Sequence, residues 1–364
     1  MAKIDPRIAA AQKAALELEK NYGLKAGSSG HNIYDQGVVS TGSLTWDYLM
    51  GTGGHKMGTF HEIFGGFSIG KTTIAGFSAL RNAQAQGMLT GVIAVEPDIE
   101  EDWMVENGIN LDYNVIGRPD SGEEAFGMLS DWIFGGTVDF ILFDSIGAIS
   151  SQKELDSDKS QAFGNSAMIS WGVKRVAARA WKNNVGVVFI NQQRDDTKSR
   201  IAGLVDSPGG HAFKHMMKMR THLKPGKDRY TVKMNDGVEN KDVMVGRQIV
   251  ASFKKNKAAP ALGKSARFDF YHIPSELHPL GFDVAKDIIT AGTVSGVFER
   301  NGGWIVHPIL PGGKLNGKAK LDEWIKENPE RLPDIRAEVI QKMKKDTVTL
   351  AKSKTPTLKA VDAD

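Results

Sequence analysis

The chain has 364 residues, a formal net charge of +3 and a hydrophobic content of 41%, values ordinary for a protein with one large α/β domain and smaller appendages. It contains no cysteine, which excludes disulfides, thiolate nucleophiles and cysteine-ligated zinc or iron–sulfur sites. The first residues lack an apolar signal segment, and no run approaches the ~18 apolar residues that a membrane span needs. We therefore expect a cytosolic protein with no membrane partner, whereas the small net charge leaves a nucleic-acid partner open.

Residues 6–21 predict an amphipathic helix. Ile8, Ala11, Ala15 and Leu18 share one face, and a glycine- and serine-rich break follows at 26–30. A single amphipathic helix cannot bury its stripe alone. We therefore expect residues 1–35 to form a helix and linker that dock on the core or on another subunit.

Residues 65–72 carry the most informative motif. They match G-x-x-x-x-G-K-T, the phosphate-binding loop of nucleotide triphosphatases, and a strand-like run precedes them while a helical stretch follows. In this order of strand, loop and helix, the helix N-terminus faces the phosphates. The alternative is a glycine-rich turn that binds nothing, and such a turn would not require this order. The candidate nucleotide contacts are Gly65, Gly66, Phe67, Ser68, Ile69, Gly70, Lys71 and Thr72.

Later apolar runs predict a mainly parallel sheet. They are rich in β-branched residues and alternate with helical stretches, as in sheets covered on both faces. The predicted strands are 91–95, 138–143, 185–190, 248–253 and 266–271, and the predicted helices between them are 122–134 and 166–182. The fold class is therefore α/β.

Two carboxylates follow predicted strands at the edge where ligands of parallel sheets bind. Asp144 is placed to hold Mg²⁺ opposite Thr72, although a strand-ending turn residue is the alternative. Glu96 directly follows the preceding strand and suits the general base for triphosphate hydrolysis. Its competitors are Asp98, Glu100 and Glu101.

Gln192 ends the strand 185–190 in the same manner. A neutral amide there can sense a γ-phosphate through a hydrogen bond, and the alternative is a solvated loop residue. It opens a long polar segment, 193–210, and a similar stretch, 154–164, precedes the helix that carries Lys174, Arg175 and Arg179. Two such loops beside basic residues suit the backbone of single-stranded nucleic acid, unless they are ordinary surface loops.

Beyond residue 274 the elements become shorter. Helices are predicted at 320–326 and 334–345, and a polar tail at 346–364. We therefore divide the chain into an N-terminal segment (1–35), a core (36–273), a C-terminal α+β domain (274–345) and the tail.

These residues resemble bacterial RecA recombinases over almost the whole chain. The matching motifs, in the family's order and spacing, are 40–44 with Asp47, 51–58, 65–73, Glu96, 119–125, 138–145, 189–192, 209–210, 255–260, 302–304 and 324–329. The resemblance implies a P-loop RecA-like ATPase core that uses ATP and Mg²⁺, hydrolyses ATP in a DNA-dependent manner and acts in recombination, DNA repair and the SOS response. It also implies a helical filament on single-stranded DNA, pairing with homologous duplex DNA, and single-strand-binding or loader proteins as further partners.

The resemblance also assigns roles. Glu96 matches the catalytic glutamate, Asp144 the Mg²⁺-linked aspartate, and Gln192 the residue that couples the γ-phosphate to the second DNA-binding loop. Trp103 falls where the family stacks an aromatic ring on adenine. Lys255 and Lys257 match a pair supplied across a subunit interface to the neighbour's ATP, and the N-terminal helix matches the element that packs on an adjacent subunit.

Further candidates complete the site. Thr73, Glu100 and Tyr271 are added to the nucleotide contacts, and the segments 154–165 and 193–210 correspond to the two DNA-binding loops. The candidate DNA-binding residues are Phe163, Gly164, Asn165, Lys174, Arg175, Arg194, Lys198, Ser199, Arg200, Ile201, Gly209 and Gly210.

The chain departs from the family at Phe67, Ile69, Ile201 and His215, and its tail is not strongly acidic. Such divergence would be natural in a phage-encoded or otherwise distant relative. A ring-forming helicase motor of the same core fold is one alternative and predicts closed hexamers. An ATP-gated DNA-coating protein with little turnover is another and predicts no DNA-stimulated hydrolysis.

Overall fold

A computed structural model describes residues 37–155, 162–195, 205–235, 239–259, 263–276 and 278–353. The predicted N-terminal helix lies outside these residues. The strands are β1 Val38–Val39, β2 His55–Lys56, β3 Phe60–Gly65, β4 Thr90–Ala94, β5 Asn114–Gly117, β6 Phe140–Asp144, β7 Gly186–Gln192, β8 Arg194–Asp195, β9 Val205–Asp206, β10 Met219–Asn235, β11 Asn240–Asn256, β12 Ser265–Tyr271, β13 Gly281–Phe282, β14 Glu299–Asn301, β15 Trp304–Val306 and β16 Lys314–Asn316. The α-helices are α1 Leu44–Met50, α2 Ser78–Gln84, α3 Glu101–Glu106, α4 Gly122–Gly135, α5 Gln152–Leu155, α6 Ala162–Lys182, α7 Gly210–Met216, α8 Val284–Ser295, α9 Gly317–Glu327 and α10 Leu332–Ser353.

The main sheet has nine strands in the order β13-β12-β11-β10-β3-β7-β6-β4-β5. The pairs from β10 to β5 are parallel, and those from β10 to β13 are antiparallel. The predicted α/β class with a mainly parallel sheet is therefore confirmed.

Apolar side chains cover both faces of this sheet because successive side chains of each central strand point to opposite faces. Along β6, Phe140 and Leu142 join the cluster packed under α1 and α2. Ile141 and Phe143 join the opposite cluster, which α4 and α6 cover. Full burial of such a side chain contributes about 1.5–3 kcal/mol, and β6, buried along its whole length, is held rigidly from both sides.

The C-terminal elements build a smaller unit. Helices α8, α9 and α10 and the sheet β14–β15–β16 enclose an apolar cluster that includes Ile289, Phe298 and Val339. Asp287 of α8 joins this unit to the core, because its carboxylate accepts hydrogen bonds from the Ser43 hydroxyl at 2.8 Å and the Leu44 amide at 2.5 Å. The predicted boundary at residue 273 precedes β13, which still pairs with the main sheet.

Several sequence-based bounds were wrong. Strand β10 was not predicted at all, and β11 is far longer than 248–253. Helix α6 begins at Ala162, so residues 162–165 are helical and not part of a loop. Strands β8 and β9 pair within the supposedly unstructured 193–210, and α10 continues past residue 345 to Ser353.

A cluster of buried rings lies under α1. The His55 ring is 6.4 Å from Trp46 and 4.9 Å from His61, centroid to centroid. Among the residues that the structure describes, neither His55 nitrogen nor the Trp46 indole nitrogen has a hydrogen-bond partner. Burial holds the pKa of His55 well below its usual range and lowers the pKa of His61 to about 4. Both histidines are therefore neutral in the folded protein at pH 7.

Replacing His55 by leucine should make the protein less sensitive to acid. A lowered histidine pKa means that the unfolded chain takes up the proton first, so stability falls as the pH drops below about 6.5, by up to about 1.4 kcal/mol per pH unit for each proton. The His55→Leu variant should gain stability relative to wild type over this range. Urea unfolding at several pH values measures the difference, and a difference independent of pH would contradict the expectation.

Candidate active site

The loop after β3 wraps toward the first turn of the following helix. Gly65 approaches β10 so closely that a Cβ there would lie 2.5 Å from the Leu223 carbonyl oxygen. Gly70 has φ 82°, a left-handed conformation that favours glycine. A π-helical turn, Thr72–Phe77, then begins, and the Lys71 ammonium donates to the Gly66 carbonyl at 2.9 Å. The loop is thereby folded around the lysine.

The two unusual residues of this loop point in opposite directions. Ile69 is only 4% exposed and packs in the core beneath the loop. Phe67 is 81% exposed and lies on the rim of a cleft. Ile69 therefore serves packing, whereas Phe67 is free to meet a ligand or another molecule.

The cleft has a volume of about 330 Å³, at the small end of the range for small-molecule sites. It brings together most of the predicted nucleotide contacts with residues that end β4, β6 and β7. Its lining is Phe67, Ser68, Gly70, Lys71, Thr72, Thr73, Phe77, Glu96, Asp98, Ile99, Trp103, Asp144, Ile190 and Gln192.

Asp144 lies at the floor of this cleft and is only 4% exposed. Its carboxylate accepts a 2.5 Å hydrogen bond from the Thr72 hydroxyl. Burial raises the pKa of Asp144 to about 7, with the negative charge of Glu96 acting in the same direction. A buried carboxylate next to a hydroxyl oxygen is the kind of oxygen donor set that Mg²⁺ accepts, so these residues fit the predicted ion.

Glu96 and Gln192 meet across the cleft. The Gln192 amide donates to the Glu96 carboxylate at 3.4 Å, and the Ser145 hydroxyl donates to the same oxygen. A carboxylate held by two neutral donors is positioned to accept a further hydrogen bond from water. Ser145 follows Asp144 directly, but nothing in its residue type pointed to this contact.

Lys71 is the cation of the cleft. Burial lowers its pKa, while Asp144 and Glu96 act in the opposite direction. The ammonium therefore lies within a cluster of carboxylates that phosphate oxygens could join.

Not every predicted nucleotide contact lines the cleft. The side chain of Ile69 is in the core, Gly65 and Gly66 contribute backbone at the back of the loop, and Glu100 precedes α3 as an exposed residue. Tyr271 lies on β12, outside the lining, with its ring stacked between Tyr230 at 5.1 Å and His278 at 4.6 Å.

The apolar lining residues Phe77, Ile99 and Ile190 were missed. Each lies within five residues of a predicted contact, but an apolar side chain in such a position is as typical of core as of a cleft wall.

Lys255 and Lys257 do not line the cleft. Instead the Lys255 ammonium donates to the carbonyl oxygens of Lys214 at 2.6 Å and His215 at 2.8 Å, at the C-terminal end of α7. Burial, helped by the charges of Lys257 and Arg220, lowers the pKa of Lys255 to about 8. The predicted site is therefore divided between two separate parts of one subunit.

The predicted DNA-binding residues are scattered. Lys174 and Arg175 are exposed on α6, where the Arg175 guanidinium lies 5.3 Å from the Trp171 ring centre. Arg194 is exposed on β8. Asn165 instead holds the chain locally, since its amide donates to Glu154 at 2.6 Å and accepts from the Ser151 amide at 3.0 Å.

Other members of this set supply backbone or lie outside the description. Gly209 and Gly210 have φ values of 110° and 78° at the start of α7. Phe163 and Gly164 are in the first turn of α6. Lys198, Ser199, Arg200 and Ile201 fall outside the described residues.

Within the described parts of the chain, no three His, Cys, Asp or Glu side chains form a group that could hold a metal ion by themselves. A metal at Asp144 would therefore require oxygen atoms from a ligand. In the same parts, no helix is long and apolar enough to cross a membrane.

Comparisons with known proteins agree with the motifs. Residues 9–273 match the sequence model described as the RecA N-terminal domain. The protein RecA of Clostridium beijerinckii is 27% identical over 356 residues, covering 96% of this chain and 93% of the relative. The protein RecA of Thermus thermophilus is 28% identical over 348 residues, covering 94% and 96%, and that of Rhodopirellula baltica is 29% identical over 330 residues, covering 89% and 82%.

Replacing Asp144 by asparagine should stabilise the protein without nucleotide or metal, and more so at higher pH. A raised carboxyl pKa means that the folded state holds the proton more tightly, so the stability contribution of Asp144 is lost as the pH rises from about 4 to about 7. The Asp144→Asn variant keeps an oxygen for Thr72 but has no proton to lose. Denaturant unfolding at pH 5 and pH 7.5 should show the larger advantage at pH 7.5, and an equal advantage at both would exclude a titrating Asp144.

Proposed function

The chain belongs to the RecA family, and we propose that it is an ATP-dependent recombinase that polymerises on single-stranded DNA and promotes homologous pairing and strand exchange. One observation carries the proposal: the phosphate-loop residues, Asp144, Glu96 and Gln192 meet in a single cleft. This set contains the parts that triphosphate hydrolysis needs, a cation, a metal-linked acid, a base and a γ-phosphate sensor.

In this proposal the loop amides, Lys71 and Thr73 hold the phosphates of ATP, and Trp103 stacks on the base. Thr72 and Asp144 hold Mg²⁺, which when bound neutralises charge that develops on the phosphates. Glu96 orients the attacking water and accepts its proton. Gln192, 3.4 Å from Glu96, is close enough to sense both that water and the γ-phosphate.

Lys255 and Lys257 act in the neighbouring subunit. They lie outside their own subunit's cleft, so a second copy must present them to the phosphates, as an arginine finger is presented. An interface that places a different surface on each partner generates an open helical filament when the rotation does not close. ATP then joins adjacent subunits, and its hydrolysis releases them.

The DNA is proposed to bind along the exposed basic residues of α6 and β8 together with the segments 154–165 and 193–210. Lys174, Arg175 and Arg194 supply positive charge for the phosphate backbone. Electron microscopy with single-stranded DNA and a nonhydrolysable ATP analogue tests the assembly: filaments are expected, whereas closed rings would favour a helicase motor.

The Glu96→Gln variant should bind ATP with near-normal affinity and hydrolyse it at least about 100-fold more slowly, because an amide cannot accept the proton. DNA-stimulated ATPase and fluorescent-nucleotide titrations measure the two effects. Asp98→Asn is the matched control, since Asp98 lines the same cleft but is not assigned as the base. A control that lost as much activity as Glu96→Gln would move the role to Asp98. Wild type that formed filaments without DNA-stimulated turnover would instead indicate a DNA-coating protein.

Mixing two inactive variants should restore activity if Lys255 acts across an interface. Lys255→Ala keeps an intact cleft, and Glu96→Gln keeps a lysine to give its neighbour. In a random equal mixture about a quarter of the interfaces pair an intact cleft with a native lysine, because each condition is met half of the time. ATPase activity should rise to roughly that fraction of wild type. Mixtures as inactive as their components would contradict a role across the interface: Lys255 would then act on its own subunit's ATP or take no part in hydrolysis.

A further inference from the structure

A buried carboxylate lies directly behind the cleft. Glu62 of β3 is fully buried and forms an ion pair with Arg220 of the adjacent strand β10. Its other oxygen accepts hydrogen bonds from the Asn191 amide at 2.8 Å and from the Ser207 hydroxyl. A buried charge with every acceptor satisfied is stable only while all of its partners stay in place.

Asn191 connects Glu62 to the cleft. Its side-chain oxygen accepts from the backbone N–H of Gln192 at 2.9 Å, and its side-chain nitrogen also donates to the Pro208 carbonyl at 3.0 Å. Gln192 in turn contacts Glu96. Any shift of the end of β7 on contact with a phosphate is therefore transmitted to Glu62 and to the segment before α7.

Asp206 of β9 connects Arg220 to the other half of the divided site. Its two oxygens accept from Arg220 and from Lys214, each at 2.6 Å. Lys214 is one of the two residues whose carbonyl oxygens hold the Lys255 ammonium. An unbroken series of hydrogen bonds and chain neighbours thus runs from Glu96, through Asp206, to Lys255.

Asp206 is more accessible than Lys214, Arg220 and Glu62 in this series. Its side chain is 36% exposed, compared with 12% for Arg220 and 0% for Glu62. Burial alone would raise the pKa of Asp206, but the hydrogen bonds from Arg220 and Lys214 outweigh it and lower the pKa to about 2. The carboxylate is therefore charged throughout the physiological range, and it can be removed with less damage than Glu62.

We propose that Asp206 is a positioning residue that couples the nucleotide-facing end of β7 to the end of α7 where Lys255 is held. The inference rests on the proposed function, which assigns Gln192 and Lys255 their ligands. When a γ-phosphate binds, the end of β7 moves together with Asn191. This movement displaces Glu62 and, through the ion pair, Arg220. The ion pair between Asp206 and Lys214 changes as a result. Lys255 then leaves the α7 carbonyls for the neighbour's phosphates, so one nucleotide prepares the subunit to complete the next site.

The test measures how strongly nucleotide controls DNA binding. Affinity for a labelled oligothymidine is determined by fluorescence anisotropy, once with Mg²⁺ and a nonhydrolysable ATP analogue and once with ADP. Wild type should bind DNA more tightly with the analogue, and Asp206→Asn should reduce the ratio of the two affinities by about fivefold or more, the low end of allosteric coupling factors. Asp206→Glu, which keeps the charge, should recover most of the ratio.

Controls separate coupling from damage. Asp242→Asn removes an exposed carboxylate on β11 and should leave the ratio unchanged. Asp206→Asn should stay folded and keep the nucleotide affinity of wild type, with a thermal unfolding midpoint below that of wild type because the folded state loses a carboxylate whose pKa is lowered to about 2. If it does not fold, Lys214→Met tests the same link with only a partly buried side chain altered.

The outcomes distinguish the inference from the function beneath it. A wild-type ratio that Asp206→Asn and Lys214→Met leave intact would overturn the coupling role and leave the recombinase proposal standing. Wild type whose DNA binding ignores the nucleotide would overturn the proposed function, and with it the premise of the coupling.

Discussion

The parallel pairing of β7 between β3 and β6 is the constraint on which the site depends. Because these strands run in the same direction and in fixed register, their carboxyl ends meet at one edge of the sheet. The phosphate loop, Asp144 and Gln192 each continue one of these strands. Both faces of the strands are buried under helices, so the polar ends cannot move independently. The positions of the polar side chains in the cleft are thus fixed by packing in the core.

Two buried carboxylates near this edge differ in how many partners compensate their charge. Glu62 is fully paired with Arg220, Asn191 and Ser207, so its charge is compensated within the fold. Asp144 has only the Thr72 hydroxyl as a hydrogen-bond donor among the contacts described, and burial raises its pKa although the charge of Lys71 opposes the shift. A paired carboxylate stabilises the fold regardless of ligand, whereas an unpaired one stores free energy that cation binding can release. A bound cation would therefore stabilise the fold directly at Asp144, whereas the charge of Glu62 is compensated with or without a ligand.

Sequence reasoning succeeded where a local pattern had one structural solution. The phosphate loop requires a strand before it and a helix after it, and apolar runs such as 138–143 are buried in any parallel sheet. The positions of Asp144, Glu96 and Gln192 followed from those strands. Strand β10 was missed because its many lysine and arginine residues hide the alternation of apolar and polar side chains. It becomes a strand by pairing with β3, which is far away in the chain. The contacts of Asp206 with Arg220 and Lys214 span 14 and 8 residues and depend on that same pairing, so no local pattern could reveal them.

The division of the site explains why its two odd loop residues are tolerated. Ile69 adds an apolar contact to the core beneath the phosphates, which leaves the amides and Lys71 to bind them. Phe67 is an exposed aromatic on the rim of the cleft, and a large apolar side chain at such a position is unfavourable in a subunit that remains alone. The Lys255 ammonium is held by carbonyl oxygens of its own α7. In the proposed filament, a second copy covers the exposed Phe67 ring and brings Lys255 to the cleft, so that assembly and nucleotide binding use the same surface.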